Sequence, residues 1–175
     1  MIRKQIRHNG NHDNTQLVSE ETPGKSSPLV LWIDDDLSLL MLADRALNKS
    51  GFECVTALSG SEAIGLLDRI KPDIILLDVE MADMDGIETC RHLRNHANCL
   101  HTPILMVTGH DDLGSINQAY NAGATDILVK PINWKLLVYR IQYLLQTSHA
   151  VDVLSINKSR LRNAHKMIRD TKVLL

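Results

Sequence analysis

The sequence predicts an α/β fold, a doubly wound five-stranded parallel sheet with a C-terminal helical extension. Two observations lead to this prediction. Five short apolar runs alternate with helix-like stretches of about ten to fifteen residues. The runs IILL and ILMV lack polar alternation, which is typical of strands that are buried on both faces of a parallel sheet. Alternating strands and helices favour such a sheet, covered by helices on both sides.

Five segments have the length and apolar content of strands. Most are bounded by charged residues, glycine or proline, which are common at strand ends. The predicted strands are 29–33 (LVLWI), 52–57 (FECVTA), 73–78 (DIILLD), 103–108 (PILMVT) and 125–129 (TDILV).

Each predicted helix has a boundary signal. Glycine is favoured just after a helix, and Ser or Asp followed three residues later by Glu forms a capping box at a helix start. Asp36 is interpreted as the cap of the first helix. The predicted helices are 37–49 before Gly51, one opening at Ser59 with Glu62, one opening at Asp85 with Glu88, one from about Asp111 to Gly123, and one after Asn133.

The composition of the 175 residues is that of a soluble globular protein, with 44% hydrophobic and 23% charged residues. Only 3% are aromatic, so the core must be aliphatic. Three scattered cysteines without a C-x-x-C pair fit a reducing compartment, and we expect a cytoplasmic protein. No apolar run reaches membrane-spanning length, so we expect no membrane contact.

The charge pattern divides the chain into three parts. We interpret residues 1–28 as a disordered leader, because they are polar and rich in Asn, His, Ser and Thr. Residues 29–148 form the predicted domain, and 149–175 a helical, coiled-coil-like linker. The net charge is −7 over residues 29–149 and +4 over residues 150–175, which separates an acidic module from a basic one.

Polar side chains gather where the predicted strands end. Asp34 and Asp35 follow the first strand, Asp78 ends the third, Thr108 ends the fourth and Lys130 follows the fifth. Ligands of open parallel sheets bind beyond the carboxyl ends of the strands. Three neighbouring carboxylates repel one another unless a cation is present. The sequence therefore predicts a cation site, and hard oxygen ligands favour Mg²⁺.

Four stretches resemble the receiver domain of a two-component response regulator: VLWIDDD, DIILLDVEMADMDGIE, PILMVTG and NAGATDILVKPI. Their order and spacing match over residues 28–148. The resemblance implies a flavodoxin-like receiver fold and a signalling role rather than an enzymatic one, with slow self-dephosphorylation. It also implies a sensor histidine kinase or a phosphotransfer protein as the partner that donates the phosphoryl group.

The resemblance assigns the acidic residues. Asp78 is the phosphoacceptor by this resemblance. Asp35 and Asp78 would bind Mg²⁺ directly, together with the backbone carbonyl of Glu80, and Asp34 would act through a metal-bound water. Glu80 and His110 are expected to flank the path of the water that hydrolyses the phosphoryl group, and so to modulate its lifetime.

Thr108 and Lys130 are expected, by the same resemblance, to contact the phosphoryl group, and the Lys130–Pro131 bond is expected to be cis. The chain departs from the family at two positions. Ala82 replaces a common proline, which should loosen the loop after Asp78. Ile127 stands where many members carry an aromatic switch residue.

One other reading uses the same residues. Haloacid-dehalogenase phosphatases also place an Asp-x-Asp motif after a first strand, here Asp34 and Asp36, and use a strand-end Thr and a Lys. That chemistry would make Asp34 the nucleophile and would not need Asp78. A second acidic pair should then follow the lysine, but no acidic residue follows Lys130 before Asp152.

The C-terminal part carries a weak heptad pattern, interrupted by two polar positions. We expect either a single helix that extends the fifth one or a short parallel coiled coil that joins two receivers in a homodimer and leads to an output module. The 26 residues cannot form a DNA-binding unit and contain no aromatics, so we expect no nucleic-acid contact through this chain. The heptad positions are Ala150, Leu154, Asn157, Leu161, Ala164, Ile168, Thr171 and Leu175.

Overall fold

The computed structural model describes residues 27–172, and beyond Val151 it describes only the side chains of residues 153, 154 and 158. The predicted leader, apart from its last two residues, and the last heptad position, Leu175, lie outside the described residues. These two predictions are therefore not tested.

Strands and helices alternate strictly along the described chain. Each strand is followed by one helix, as predicted. The strands are β1 (Leu29–Ile33), β2 (Glu53–Ala57), β3 (Ile74–Asp78), β4 (Ile104–Thr108) and β5 (Asp126–Val129). The helices are α1 (Leu37–Lys49), α2 (Gly60–Leu66), α3 (Gly86–Asn95), α4 (Leu113–Ala122) and α5 (Trp134–Lys172).

The five strands form one sheet in the order β2-β1-β3-β4-β5, and all neighbouring pairs are parallel. The chain winds outward from β1 in one direction to β2 and then in the other direction through β3, β4 and β5. This is the doubly wound, flavodoxin-like topology, so the predicted fold class is confirmed. The single switch in strand order lies between β1 and β3.

The predicted caps fix the starts of three helices. The Asp36 carboxylate accepts hydrogen bonds from the amides of Ser38 and Leu39 at 2.8 and 3.2 Å. Ser59 Oγ accepts from the Glu62 amide at 3.1 Å. The Asp85 carboxylate accepts from the amide three residues on at 2.7 Å. Each bond satisfies a backbone donor that the helix itself cannot pair.

Several predicted boundaries are wrong by one or two residues. Strands β2 to β5 each begin one residue later than predicted. At β2 the reason is visible, because the amide of Phe52 bonds to the carbonyl of Leu47 and completes the end of α1 instead of joining the sheet. Helix α4 begins at Leu113, because Asp112 rather than Asp111 caps it by accepting from the Ser115 amide.

The sheet separates two apolar clusters. Side chains on one face of β1, β3 and β4 pack against α2, α3 and α4, and those on the other face pack against α1 and α5. The central strands β3 and β4 are buried along their whole length, as their continuous apolar sequences predict. The helices on both faces leave the strand ends as the accessible edge.

Helix α5 continues without a break across the predicted boundary at residues 148 and 149. Its first part packs on the sheet through Leu137, Ile141, Leu144 and Leu145, and all four are buried. The rest extends beyond the sheet as the same helix. No helix among the described residues combines the length and the apolar character that crossing a membrane requires.

Candidate functional site

The strand order brings the predicted site residues together. Because β1 lies beside β3, the residues that follow β1 lie next to Asp78 at the carboxyl edge of the sheet. Asp34 and Asp78 are buried, with 1% and 2% of their surface exposed, whereas Asp35 is exposed. One rim therefore carries two desolvated carboxylates and one that solvent can reach.

Asp34, Asp35 and Asp78 each offer a carboxylate oxygen, and these oxygens lie within 4.8 Å of one another. Among the residues whose side chains the structure describes, this is the only group of three His, Cys, Asp or Glu residues with ligand atoms so close together. Oxygen donors of this number and charge suit Mg²⁺, which keeps several waters and binds through one or two carboxylates. The donor set therefore fits the metal that the sequence predicts.

Lys130 extends from the end of β5 into this cluster. Its Nζ lies 2.8 Å from Asp78 Oδ1 and 3.4 Å from Asp34 Oδ2. The shorter contact is an ion pair that lies off a good hydrogen-bond direction, so the buried Asp78 Oδ1 has no well-aligned donor. The Lys130–Pro131 peptide bond is cis, as predicted. The Lys130 amide also bonds to the carbonyl of Thr108 at 2.7 Å, which joins the ends of β4 and β5.

The electrostatics of the cluster oppose the ionisation of Asp78. Burial raises the pKa of the Asp78 carboxyl above its usual value of 3.8. The contact with Lys130 lowers this pKa, and the charges of Asp34 and Asp35 raise it further. Burial alone would lower the pKa of Lys130, but its contacts with the two buried carboxylates raise it above the usual value. Lys130 is therefore a stable cation beside Asp78. Additional positive charge would be required to favour the ionised form of Asp78.

Backbone amides hold the other two carboxylates. The Asp36 amide donates to Asp34 Oδ1 at 2.9 Å, and the Ala82 amide donates to Asp35 Oδ2 at 3.0 Å. The second bond ties the loop after β3 to the end of β1. Proline at this position could not donate it, so the replacement by Ala82 adds a restraint that opposes the expected loosening of this loop. In each of these two carboxylates, one oxygen accepts a hydrogen bond from the backbone. The other oxygen is not used in that bond.

Gly86 lets the start of α3 approach the end of β3 closely. A Cβ atom at this position would lie 2.1 Å from the Asp78 carbonyl oxygen and 2.7 Å from the Val79 Cα. Both are backbone atoms, so no side-chain rotation could relieve the contact. Only glycine permits this packing, which sets the distance between α3 and the site.

A second layer of side chains covers the rim. Thr108 is buried, with 4% of its surface exposed, and its Oγ1 accepts from the His110 amide at 3.0 Å. The His110 Nε2 lies 2.6 Å from Glu80 Oε1, so the loops after β3 and β4 are joined above the sheet edge. Gly109 lies beneath, where an added Cβ would come within 3.3 Å of Glu80 Oε2.

All seven predicted site residues lie at this edge of the sheet. Sequence reasoning missed two contributions, the Ala82 amide and the close approach at Gly86. A backbone donor has no residue signature, so the first could not be read from the sequence. The second had a signal in the sequence, because Gly86 directly follows the predicted helix start at Asp85. The direct pairing of Glu80 with His110 was not predicted either, although both were placed near the site.

Comparisons with known proteins agree with this geometry. A family model described as the response regulator receiver domain matches residues 30–142. The response regulator PleD of Caulobacter vibrioides is 35% identical over 128 residues, which are 73% of this chain and 28% of PleD. The alkaline phosphatase synthesis transcriptional regulatory protein PhoP of Bacillus subtilis is 33% identical over 145 residues, 83% of this chain and 60% of PhoP. The chain thus spans less than two thirds of either relative.

Solved structures show the same similarity. The chemotaxis protein CheY4 of Vibrio cholerae superposes with a TM-score of 0.66 at 32% sequence identity, over 67% of this chain and 98% of CheY4. The family match covers more than half of the chain and includes every residue of the acidic cluster. The chain therefore belongs to the response regulator receiver domain family of two-component signalling systems.

Proposed function

We propose that this receiver takes a phosphoryl group from a phosphohistidine of a sensor kinase or a phosphotransfer protein onto Asp78. The observation that carries the proposal is that Asp34, Asp35 and Lys130 surround the buried Asp78 carboxylate. Buried Thr108 ends the neighbouring strand, β4, at the same edge of the sheet. The family to which the chain belongs works with such phosphohistidine donors.

The transfer exchanges one bond for another. A carboxylate oxygen of Asp78 forms a bond to phosphorus, and the bond from phosphorus to the donor imidazole nitrogen breaks. The imidazole leaves with the electron pair of that bond, and the product is an acyl phosphate on Asp78. No atom is oxidised or reduced, so the step needs only positioning and charge stabilisation.

Asp35, Asp78 and the backbone carbonyl of Glu80 would hold Mg²⁺, with Asp34 acting through a bound water. When bound, the metal would neutralise charge on the phosphoryl oxygens. Two observations support this assignment: the carboxylate oxygens lie within 4.8 Å of one another, and the buried Asp78 Oδ1 lacks a well-aligned donor.

Lys130 and Thr108 would bind the transferred group. Lys130 Nζ already contacts Asp78 Oδ1, so it would lie beside a phosphoryl group attached there. Thr108 Oγ1 accepts a bond from a backbone amide, which leaves its own hydroxyl proton free to donate. A cationic amine and a hydroxyl donor both stabilise phosphoryl oxygens more strongly in a buried site than in water.

The phosphatase reading is not retained. It requires Asp34 as the nucleophile, but Asp34 Oδ1 accepts from the Asp36 amide and Oδ2 faces Lys130. Asp36 serves as the cap of α1 and does not point into the cluster. The family match also favours Asp78 chemistry over this alternative.

Asp78→Asn should abolish phosphorylation by a phosphoramidate donor with Mg²⁺. The intact mass of the wild-type chain should rise by one phosphoryl group, and that of the variant should stay unchanged, because the amide is not a nucleophile. Asp83→Asn is the matched control, since Asp83 is an exposed carboxylate of the same loop. A variant that still labels in full would refute the assignment of Asp78.

Glu80 and His110 would set the lifetime of the acyl phosphate without changing which residue is phosphorylated. Glu80 would orient the attacking water, and His110 would restrain Glu80 through their 2.6 Å contact. Glu80→Ala should therefore lengthen the phosphoryl half-life, and His110→Ala should shorten it. We expect changes of about 2- to 10-fold, the range of one hydrogen bond.

A double variant distinguishes this pair from two independent surface residues. If His110 acts through Glu80, the double variant should have the half-life of Glu80→Ala alone. Asp83→Ala controls for removing a carboxylate from the same loop. Unchanged half-lives in both single variants would mean that the two side chains, each more than half exposed, only face solvent.

We further propose that the chain acts in the cytoplasm as a homodimer and relays its state through α5 to an output module. The heptad pattern that starts at Ala150, followed backward in the same steps, passes through the polar residues Thr147 and Arg140 and includes two large side chains, Tyr143 and Leu136. These side chains are exposed on α5 in the receiver, at 64% and 49%. The α5 helix of a second chain could therefore pack along this α5 in both the receiver, residues 29–148, and the linker, residues 149–175.

A further inference from the structure

The amino edge of the sheet, opposite the acidic cluster, carries a long groove. Two adjoining cavities of about 290 and 360 Å³ share His101, Pro103 and Ser148. Pro103 precedes β4 and Ser148 belongs to α5, so the groove runs between the strand starts and the root of the linker helix. We call it the base groove. The residues that matter below are Lys71, Leu100, His101, Leu144, His149 and Val151.

The base groove combines apolar surface with positive and hydrogen-bond-donating groups. Leu144 is buried in its wall, whereas Leu100 and Val151 are 56% and 64% exposed. Lys71 is exposed and cationic, and exposed His101 and His149 each offer at least one N–H donor. The groove therefore suits a segment that carries apolar and acidic side chains next to each other.

The one carboxylate in the groove lining is already engaged. Asp73 Oδ2 accepts the amide of Leu29, the first residue of β1, at 2.7 Å. The Pro28 carbonyl accepts from the Glu53 amide at 3.0 Å. These bonds fix the place where the chain enters the sheet, and that place is beside the base groove.

The chain that leads to this point has the matching composition. Residues 17–21 read LVSEE, with two apolar residues followed closely by two acidic ones. Eight positions separate Glu21 from Leu29, a connection that spans up to about 26 to 29 Å when extended. Residues 17–21 can therefore reach the groove from their own chain.

We propose that residues 17–21 dock in the base groove of their own chain. Glu20 and Glu21 pair with Lys71, His101 and His149, and the two apolar residues cover the exposed rim. Because His149 and Val151 belong to α5, docking ties the N-terminal segment to the root of the linker helix. The surface is separate from the phosphoacceptor site, and the proposal does not depend on phosphorylation.

The covalent connection makes a weak contact sufficient. A short tether gives the segment an effective concentration in the millimolar range. A groove with millimolar affinity for the free segment would thus be occupied about half of the time or more, after the cost of ordering a few residues.

Methyl NMR of the full chain tests the docking. Nuclear Overhauser effects should link the methyl groups of Leu17 or Val18 to those of Leu100 or Val151. Glu21→Lys should weaken these effects and shift both groove methyl resonances, whereas Asp13→Lys, with the same change in charge, should not. Lys71→Glu combined with Glu21→Lys should restore them in part. Absent effects in the wild type, or equal shifts in both single variants, would overturn the proposal.

The same samples distinguish docking within one chain from exchange between two chains. Intrachain docking predicts that the groove methyl resonances stay unchanged on dilution, in a sample that light scattering shows to be monomeric. Resonances that revert on dilution to those of Glu21→Lys would instead place the segment in a second copy and contradict the proposal.

Discussion

At the scale of single residues, the carboxylate of Asp78 lies where its ionisation is unfavourable. It is 2% exposed, lies beside two other acids and faces one lysine. Its raised pKa records the unfavourable free energy of ionising it in that place. A bound divalent cation would remove that penalty. The cluster of carboxylates is therefore unfavourable without a metal ion but would suit phosphoryl transfer when a metal ion is bound.

Mg²⁺ should stabilise the chain against unfolding, most strongly near neutral pH. Because the pKa of Asp78 is raised on folding, its stabilising contribution is complete below 3.8, its usual value, and is lost as the pH rises through the folded value. Mg²⁺ at ten times its dissociation constant should add about 1.4 kcal/mol to the free energy of unfolding. This gain should shrink as the pH falls, since protons compete for the carboxylates.

Two matched variants locate the ligands in this measurement. Asp35→Asn should reduce the stabilisation by Mg²⁺, because Asp35 has an oxygen in the cluster. Asp36→Asn should retain it, because Asp36 caps α1 and asparagine caps nearly as well. Denaturant unfolding with and without Mg²⁺ gives both values. Equal losses in the two variants would place the ligand set one residue away from the assignment.

The side chains of the site could be predicted because each marks a strand end, and strand ends meet at one edge in a parallel sheet. The contacts between loops could not. The sequence separates Glu80 from His110 by 30 positions and offers no pattern that pairs them. The Ala82 amide acts through backbone alone, so any residue other than proline could supply it at this position.

At the scale of elements, the start of α3 depends on Gly86. Gly86→Ala should lower the free energy of unfolding by about 1 to 3 kcal/mol or more, because the added methyl meets backbone atoms of Asp78 and Val79. Gly65→Ala is the matched control, since Gly65 lies in α2 with nothing within 4 Å of an added Cβ. That change should stabilise the chain by about 0.5 to 1 kcal/mol. Denaturant midpoints of the two variants test the contrast, and equal shifts would contradict it.

Element types followed from sequence more reliably than element ends. The apolar runs of β3 and β4 predict buried strands because no alternation of polar residues exposes one face. At α4 the adjacent Asp111 and Asp112 are equally good caps in composition, and only the hydrogen bond to the Ser115 amide selects the second. Boundaries depend on such single bonds, which residue preference does not resolve.

At the scale of the whole molecule, α5 extends from the receiver beyond the edge of the sheet. Its 39 residues contain no glycine or proline, so nothing in the sequence ends the helix at the edge of the sheet. The sequence is therefore sufficient to predict that the helix is continuous. It is not sufficient to predict whether the helix pairs with a second one, because the heptad positions include the polar residues Asn157 and Thr171.

Phosphorylation should favour a dimer of the whole chain. The linker is too short and too interrupted to pair strongly by itself, but two receivers in contact through α4 and α5 would raise the effective concentration of two parallel linkers. Light scattering should show a higher mass for the full chain with a phosphoryl analogue and Mg²⁺ than without. A chain that ends at His149 should respond less. A full chain that remains monomeric with the analogue would leave the single-helix reading.

Chemical trapping can identify the residue that receives the phosphoryl group, which we propose to be Asp78. Borohydride reduces an aspartyl acyl phosphate to homoserine, which marks the modified position permanently. The chain should be treated with phosphoramidate and Mg²⁺, reduced and mapped by peptide mass. We expect homoserine at position 78 alone, and none when Mg²⁺ is removed by a chelator. Homoserine at position 34 or 35, with position 78 unmodified, would contradict it.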